Sequence, residues 1–343
     1  MKRIGIVGMM FCMLALFSCQ QRLQVPEMEV IMPADSIDLE IGHHKSMQVY
    51  DDKLFVIDTQ TIDGAVQVYD LNTLQFLFSF GYGKQNLNEN YGTNSVSHID
   101  FYEVNGEERV DLIVFNEKII TYSYDAVMRE KYAAKPLMER IVHGKFPHIL
   151  QVIKVSNGYI STGIRTEGKF LLLTDSLEEV KYAGSYRPKV DKFVSDTVHI
   201  MANYGEVRVS PDRKYLADCV TIAPVLTLYE LTDGDMRKRW EYLKEEIDYE
   251  PIEDFAFVPK SKSGYGSTTF SEKYLYALYI GEPDEDEVGH YRREVHVFDI
   301  ETGELVKQYL LSRPSLDVLW NDGKMYALTY DINPVVQVYN LEE

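Results

Sequence analysis

Lys53-Leu-Phe-Val-Ile-Asp58, a short break, and then Val66-Gln-Val-Tyr-Asp70-Leu-Asn-Thr-Leu-Gln-Phe-Leu-Phe-Ser-Phe80 decide the fold class. β-Branched and aromatic residues fill runs too short for helices, so the stretch reads as strand, link, strand, tight turn, strand. The same order recurs at Lys273-Tyr-Leu-Tyr-Ala-Leu-Tyr279 and Glu294-Val-His-Val-Phe-Asp299-Ile-Glu-Thr-Gly-Glu-Leu-Val-Lys-Gln-Tyr309. Asp299-Ile-Glu-Thr-Gly303 matches Asp70-Leu-Asn-Thr-Leu74, and both predict a hairpin turn in which the opening side chain caps its own backbone.

Weaker copies occupy residues 119–125, 170–180, 225–234 and 335–340. Taking Asp70, Asp125, Asp175, Glu230, Asp299 and Asn340 as turn landmarks gives separations of 55, 50, 55, 69 and 41 residues. Sheet repeats with a period on the order of 40 to 50 residues indicate propeller blades. The expectation is an all-β, six-bladed β-propeller of four-stranded antiparallel blades over residues 34–343. The last copy stops at Asn340 and lacks an outer strand, whereas Asp35-Ser-Ile-Asp-Leu-Glu-Ile41 alternates apolar and polar residues and belongs to no repeat. This N-terminal strand is predicted to complete the last blade and so close the ring without an exposed edge.

The N-terminus carries an address. Lys2 and Arg3 precede an apolar run from Ile4 to Phe17, shorter than the roughly 20 residues that a spanning helix needs. Leu16-Phe17-Ser18-Cys19 resembles the lipobox of bacterial lipoproteins, which implies cleavage after residue 18 and lipid attachment at Cys19. Residues 1–18 then form a signal peptide and 19–33 a lipidated tether, expected to be unstructured over 20–30. Acylation at Cys19 would be the chain's only membrane contact. Gln20 stands where inner-membrane retention favours Asp, and 20–24 contain no acidic run; both point to the outer membrane, facing the periplasm.

Loss of residues 1–18 moves the formal charge from −19 to −21, a surface that repels nucleic-acid backbones. Cys12 leaves with the signal, Cys19 takes lipid, and Cys219 is left in an apolar run as a buried, inert thiol with no disulfide partner. The chain has no phosphate-binding loop, dinucleotide fingerprint, HExxH, zinc-type Cys pair or Gly-x-Ser-x-Gly elbow. The acidic loop 282–290 has oxygen ligands suited to calcium but not the EF-hand spacing, and reads as a solvated insertion. His143 and His148 read as loop residues, and 242–249 as a short helix or amphipathic turn on the rim.

The strands that open the repeats share an apolar-variable-apolar pattern at 47–49, 99–101, 150–152, 207–209, 255–257 and 316–318. In a propeller these strands line the channel, which places His98, Asp100, Gln151, Glu206, Arg208, Asp254 and Asp317 in a mostly acidic ring at its mouth. These seven are the candidate binding residues, and pairing among themselves is the competing expectation.

Lipobox, Lys53–Asp58, Val68-Tyr69-Asp70 and Phe80-Gly81-Tyr82-Gly83 together resemble the TolB-like six-bladed β-propeller lipoproteins of Bacteroidetes. Residues 81–87 keep only the first glycines of the Gly-rich turn common in those relatives. The resemblance implies a fold but no settled activity. Two functions follow as expectations. One is a monomeric envelope propeller, not an enzyme, that binds or scaffolds a protein, peptide or glycan without a cofactor. The other is a metal-dependent hydrolase or lyase like the lactonase-like and amidoglycolate-lyase-like propellers, with calcium or another ion held by His98, Asp100, Glu206, Asp254 and Asp317.

Overall fold

In a computed structural model, residues 25–40, 42–59, 64–81, 96–114, 118–142, 149–191, 194–253, 256–260, 263–281 and 292–341 are described. Blade 1 runs from axis to rim as His44–Tyr50, Lys53–Asp58, Val66–Asp70 and Gln75–Phe80. Its two middle strands are buried on both faces, which is why 53–58 and 66–70 are so uniformly apolar. Blade 2 comprises Val96–Val104, Glu107–Val114, Lys118–Ser123 and Met138–Ile141. Blade 3 comprises Ile149–Val155, Gly158–Gly163, Phe170–Leu173 and Glu179–Ala183. Blade 4 comprises Val207–Val209, Tyr215–Cys219, Val225–Thr232 and Asp235–Leu243. Blade 5 comprises Tyr265–Phe270, Tyr274–Tyr279, Glu294–Asp299 and Leu305–Leu310. Blade 6 comprises Ser315–Asn321, Lys324–Thr329, Val335–Asn340 and, as its outer strand, Asp35–Asp38.

The ring therefore closes as expected. Asp35–Asp38 lies antiparallel to the last strand, with Ile37 opposite Val336, and Ile37 is fully buried. Each innermost strand touches the next around the circle, blade 6 to blade 1 included. A buried apolar cluster fills every gap between neighbours: Phe55, Phe80, Phe101 and Tyr122 between blades 1 and 2, and Ile37, Leu54, Leu328 and Val338 between blades 6 and 1. Burial of this kind, at roughly 25 cal/mol per Å² of apolar surface, holds the blades side by side.

Several local expectations need correction. Met28–Val30, assigned to an unstructured tether, is a fifth strand on blade 5, parallel to Leu305–Leu310. The Ile31 amide donates to the Leu310 carbonyl and the Ala34 amide to that of Val338, so 28–38 straps the rims of blades 5 and 6. The turn capping holds at Asp70, whose Oδ1 accepts from the Asn72 and Thr73 amides, and at Asp299, which accepts from Glu301 and Thr302. Asp125 is not a turn residue. It sits in a helix, Tyr124–Glu130, N-capped by Ser123, as a Ser followed by an early Asp favours. Blade 3 turns on Thr174, whose Oγ1 accepts from the Glu178 amide, while Asp175 pairs with Lys154 instead.

The inner strand of blade 5 is also displaced from its expected place. Ala256–Pro259 pairs with Tyr249–Glu253 in a separate hairpin that packs on a second helix, Asp196–Ala202, through Val198, Ile247, Tyr249 and Phe257. The innermost place in blade 5 is taken instead by Tyr265–Phe270, paired antiparallel with Tyr274–Tyr279. Residues 242–243 end the outer strand of blade 4 and Tyr249 opens the hairpin, with no helix between them.

Of the two-residue hairpins that join first and second strands, those at 51–52, 105–106 and 322–323 are built on left-handed backbone. All six residues have positive φ, and the second is Gly106 (φ 81°) or Gly323 (φ 71°) in two cases but Asp52 (φ 54°) in the third. Asp52→Gly is expected to raise the urea midpoint, a gain of about 0.5–1 kcal/mol, because left-handed backbone costs a side-chain-bearing residue more. A lower midpoint would contradict this account of the turn.

Candidate functional site at the channel

The inner strand is the edge of each sheet, so its outward amides and carbonyls face the axis and need partners there. Side chains from the preceding blade supply several. Asp317 Oδ2 accepts from the Met47 amide at 2.7 Å, Asp100 Oδ2 from Lys154 at 2.9 Å, and Thr269 Oγ1 from Trp320 at 2.8 Å. Ser267 Oγ accepts from Val318 at 3.3 Å and donates to Asp317 Oδ1.

Two arginines of blade 4 complete the closure. Arg208 reaches across the axis: its Nη2 pairs with Asp317 Oδ1 at 2.9 Å, and its Nη1 donates to the Met47 carbonyl at 3.3 Å. Arg213, in the turn after the inner strand, donates to the carbonyls of Lys154 and, at 2.6 Å, Phe101. It thereby ties blades 2, 3 and 4, and its Nη2 lies 3.9 Å from Asp100.

Five inner strands shift register at their start, between His44 and Ser46, Val96 and His98, Ile149 and Gln151, Tyr265 and Ser267, and Ser315 and Asp317. Such bulges re-aim the following side chain. The residues after them are Ser46, His98, Gln151, Ser267 and Asp317; Asp100 lies two positions farther along its strand. The six described members of the expected set come together around the axis, Glu206 within electrostatic reach of Arg208, Asp317 and His98, and Arg208 of Asp100. Arg208 and Asp317 are brought together, His98 Nε2 lies 3.5 Å from Asp100, and Gln151 Nε2 donates to Glu206 at 3.4 Å. Asp254, and with it 282–290, His143, His148 and Cys19, lies outside the described residues. Because 255–257 does not open blade 5, Ser267 takes the place expected for its channel residue. Ser267, Thr269 and Arg213 went unrecognised: Tyr265-Gly-Ser-Thr-Thr-Phe270 is too polar to stand out as a buried strand, and nothing marks Arg213 in its turn.

Glu206 is the acid not locked by an arginine. Gly205 precedes it because a Cβ there would stand 1.8 Å from the Cys219 carbonyl oxygen, forcing the backbones apart. Burial pushes the Glu206 carboxyl up and Asp317 adds to this, against the pull of Arg208, His98 and Lys45. Burial acts the same way on Asp100, but His98, Arg213 and the Lys154 amide outweigh it and hold that carboxyl low. Burial also raises the Cys219 thiol, whose Sγ donates to the Glu206 carbonyl, in keeping with an inert role. Among the described residues, no three His, Cys, Asp or Glu side chains converge as a metal site.

The family model described as TolB-like 6-blade propeller-like matches residues 43–318. An exported protein of Bacteroides fragilis superposes with a TM-score of 0.56 at 10% identity, covering 93% of this chain and 99% of that one. The β-propeller domain of Cps50 (Swd1) from Myceliophteria thermophila gives 0.53 at 10% identity, over 91% and 100%. At such identities these structures speak for the fold alone. No curated protein matches the chain.

Asp317→Ala should cost about 3–5 kcal/mol in urea unfolding by leaving Arg208 buried and unpaired, and Arg208→Met with Asp317→Leu should recover much of it. Equal losses in the single and double variants would contradict the pairing. Glu206, with its folded pKa raised, contributes stability below the unfolded carboxylate value of about 4.3 that is lost as pH rises through the folded value. Glu206→Gln is therefore expected to flatten the fall in stability as pH rises above about 4.3; an unchanged pH profile would count against that sign.

Proposed function

The chain belongs to the TolB-like 6-blade propeller family, and from that premise we propose that it is an envelope lipoprotein that binds or scaffolds a protein, peptide or glycan. The observation that carries this reading is the commitment of the channel groups to one another. Both oxygens of Asp317 are engaged by Arg208, Ser267 and the Met47 amide, and those of Asp100 by the Lys154 amide, His98 and Arg213. Carboxylates so occupied brace a rigid ring rather than ligate an ion, which favours docking on the ring face over metal-dependent hydrolysis. The helix Asp196–Ala202 and the hairpin of 249–259 widen the surface beside blades 4 and 5.

Lipid on Cys19 would hold the propeller, as a monomer, on the outer membrane facing the periplasm. No helix among the described residues is long and apolar enough to cross a membrane, and one solved neighbour is an exported protein; both are compatible with anchoring by lipid.

Two measurements test the reading. Mass spectrometry of the N-terminal peptide from membrane fractions should find acylated Cys19, with Cys19→Ala releasing the chain; an unmodified, intact N-terminus would refute the anchor. Purified protein should carry no stoichiometric divalent metal, show no calcium-dependent rise in Tm, and bind an envelope glycan or peptide equally with and without EDTA. A saturable calcium shift would return the metal-dependent enzyme to first place.

A further inference from the structure

Two groups of exposed large apolar side chains stand on opposite sides of the ring. Leu137, Met138 and Ile141 lie at the rim of blade 2, and Val30, Met32, Tyr330 and Ile332 lie where blades 5 and 6 meet. The second group is gathered by the link between those blades, residues 311–314. The Ile31 amide donates to the Leu310 carbonyl just before that link, at 3.1 Å, and the Tyr330 amide donates to the Pro314 carbonyl at its end, at 2.8 Å. Four residues of chain span at most about 14 Å, so the N-terminal strap and the loop 330–334 emerge side by side. Ile31 turns into the cluster between the blades, which leaves Val30 and Met32 outside; Ile332 is 95% exposed. Arg313 in the link reaches Asp331 in the loop at 3.7 Å, and the Arg292 guanidinium lies over the Tyr330 ring.

The chain's own tether selects what covers this patch. Val25, where the described strap begins, is six residues from Cys19, a span of at most about 22 Å. With lipid on Cys19, the start of the strap at the blade 5 rim stays within that distance of the bilayer, and the blade 2 rim lies across the ring. Aliphatic side chains beside a Tyr and an Arg suit the membrane interface, where the ring and the guanidinium stay at headgroup level. The exposed Glu27 and Glu29 on the strap, and the formal charge of −21 once residues 1–18 are removed from a chain of −19, oppose an anionic surface.

We propose that Val30, Met32, Tyr330 and Ile332 enter the interface of a zwitterionic bilayer, so that the propeller leans on the membrane through the edge of blades 5 and 6. This is a contact beyond the acyl chains, to which the sequence alone confines membrane binding, and it rests on the lipid-anchor reading. Tethering supplies a high local concentration of bilayer, which lets a small apolar patch suffice.

Coupling the purified mature chain through Cys19 to a maleimide lipid in phosphatidylcholine vesicles tests it; Cys219 is fully buried and does not compete. With brominated acyl chains in the vesicles, the tryptophan added by Met32→Trp or Ile332→Trp should lose about half its emission, after subtraction of the wild-type signal, whereas that of Met138→Trp should lose none. Replacing part of the lipid with phosphatidylglycerol should weaken the quenching. No quenching at 32 and 332, or equal quenching at 138, overturns the proposal, and stronger quenching with phosphatidylglycerol overturns the zwitterionic assignment. A dimer in solution that Ile332→Ser dissolves, with 332 unquenched on vesicles, would give the patch to a second copy. Should the tryptophan variants not fold, hydrogen exchange of the wild type decides: the amides of 331–333 should exchange more slowly on the vesicles than free in solution, and equal rates overturn the proposal. Unmodified Cys19 in cells would refute the anchor reading, a failure that the vesicle measurement keeps separate.

Discussion

The inner edge of a blade is a buried sheet edge, and its unpaired amides and carbonyls constrain everything around the axis. In this chain the inner edges of blades 1, 2, 3 and 6 take side-chain partners from other blades. Asp317 serves the Met47 amide, Asp100 that of Lys154, and Ser267 and Thr269 those of Val318 and Trp320. Arg208 and Arg213 serve the carbonyls of Met47, Phe101 and Lys154. A carboxylate that serves an amide in this way must itself be neutralised, which explains why Asp317 and Arg208 occur as a pair.

Packing and closure build on that axis. Apolar clusters between blades provide the bulk of the burial, and the N-terminal strap adds two rims to it. Ile31 enters the cluster between blades 5 and 6 and Ile37 the one between blades 6 and 1, so a short stretch of chain packs into both gaps that flank blade 6, the blade in which the circle closes.

The blades were legible where their signals are local. Alternation and the Asp-opened turns at 70 and 299 follow from backbone chemistry within a few residues, and the outer strand of blade 6 follows from the apolar-polar alternation of 35–41, which belongs to no other repeat. The channel was legible by residue but not by level. Bulges before His98, Gln151 and Asp317 shift these side chains relative to Asp100, and an extra residue at a bulge leaves no mark in composition. The inner strand of blade 5 was hidden for a related reason: Ser267 and Thr269 are there to bond the next blade's amides, so the strand lacks the apolar signature that Phe255-Ala-Phe257 shows in its stead.

The docking reading proposed above rests on a ring braced at its axis. The most direct test of the bracing is native-state hydrogen exchange at the amides of Met47, Lys154 and Trp320. If side chains of neighbouring blades hold these amides, they should exchange only with global unfolding, matching the slowest amides of the middle strands. Exchange at the rates of open, solvated backbone while the middle strands stay protected would show that the axis is wet and the edges unpaired, and the central claim would fail.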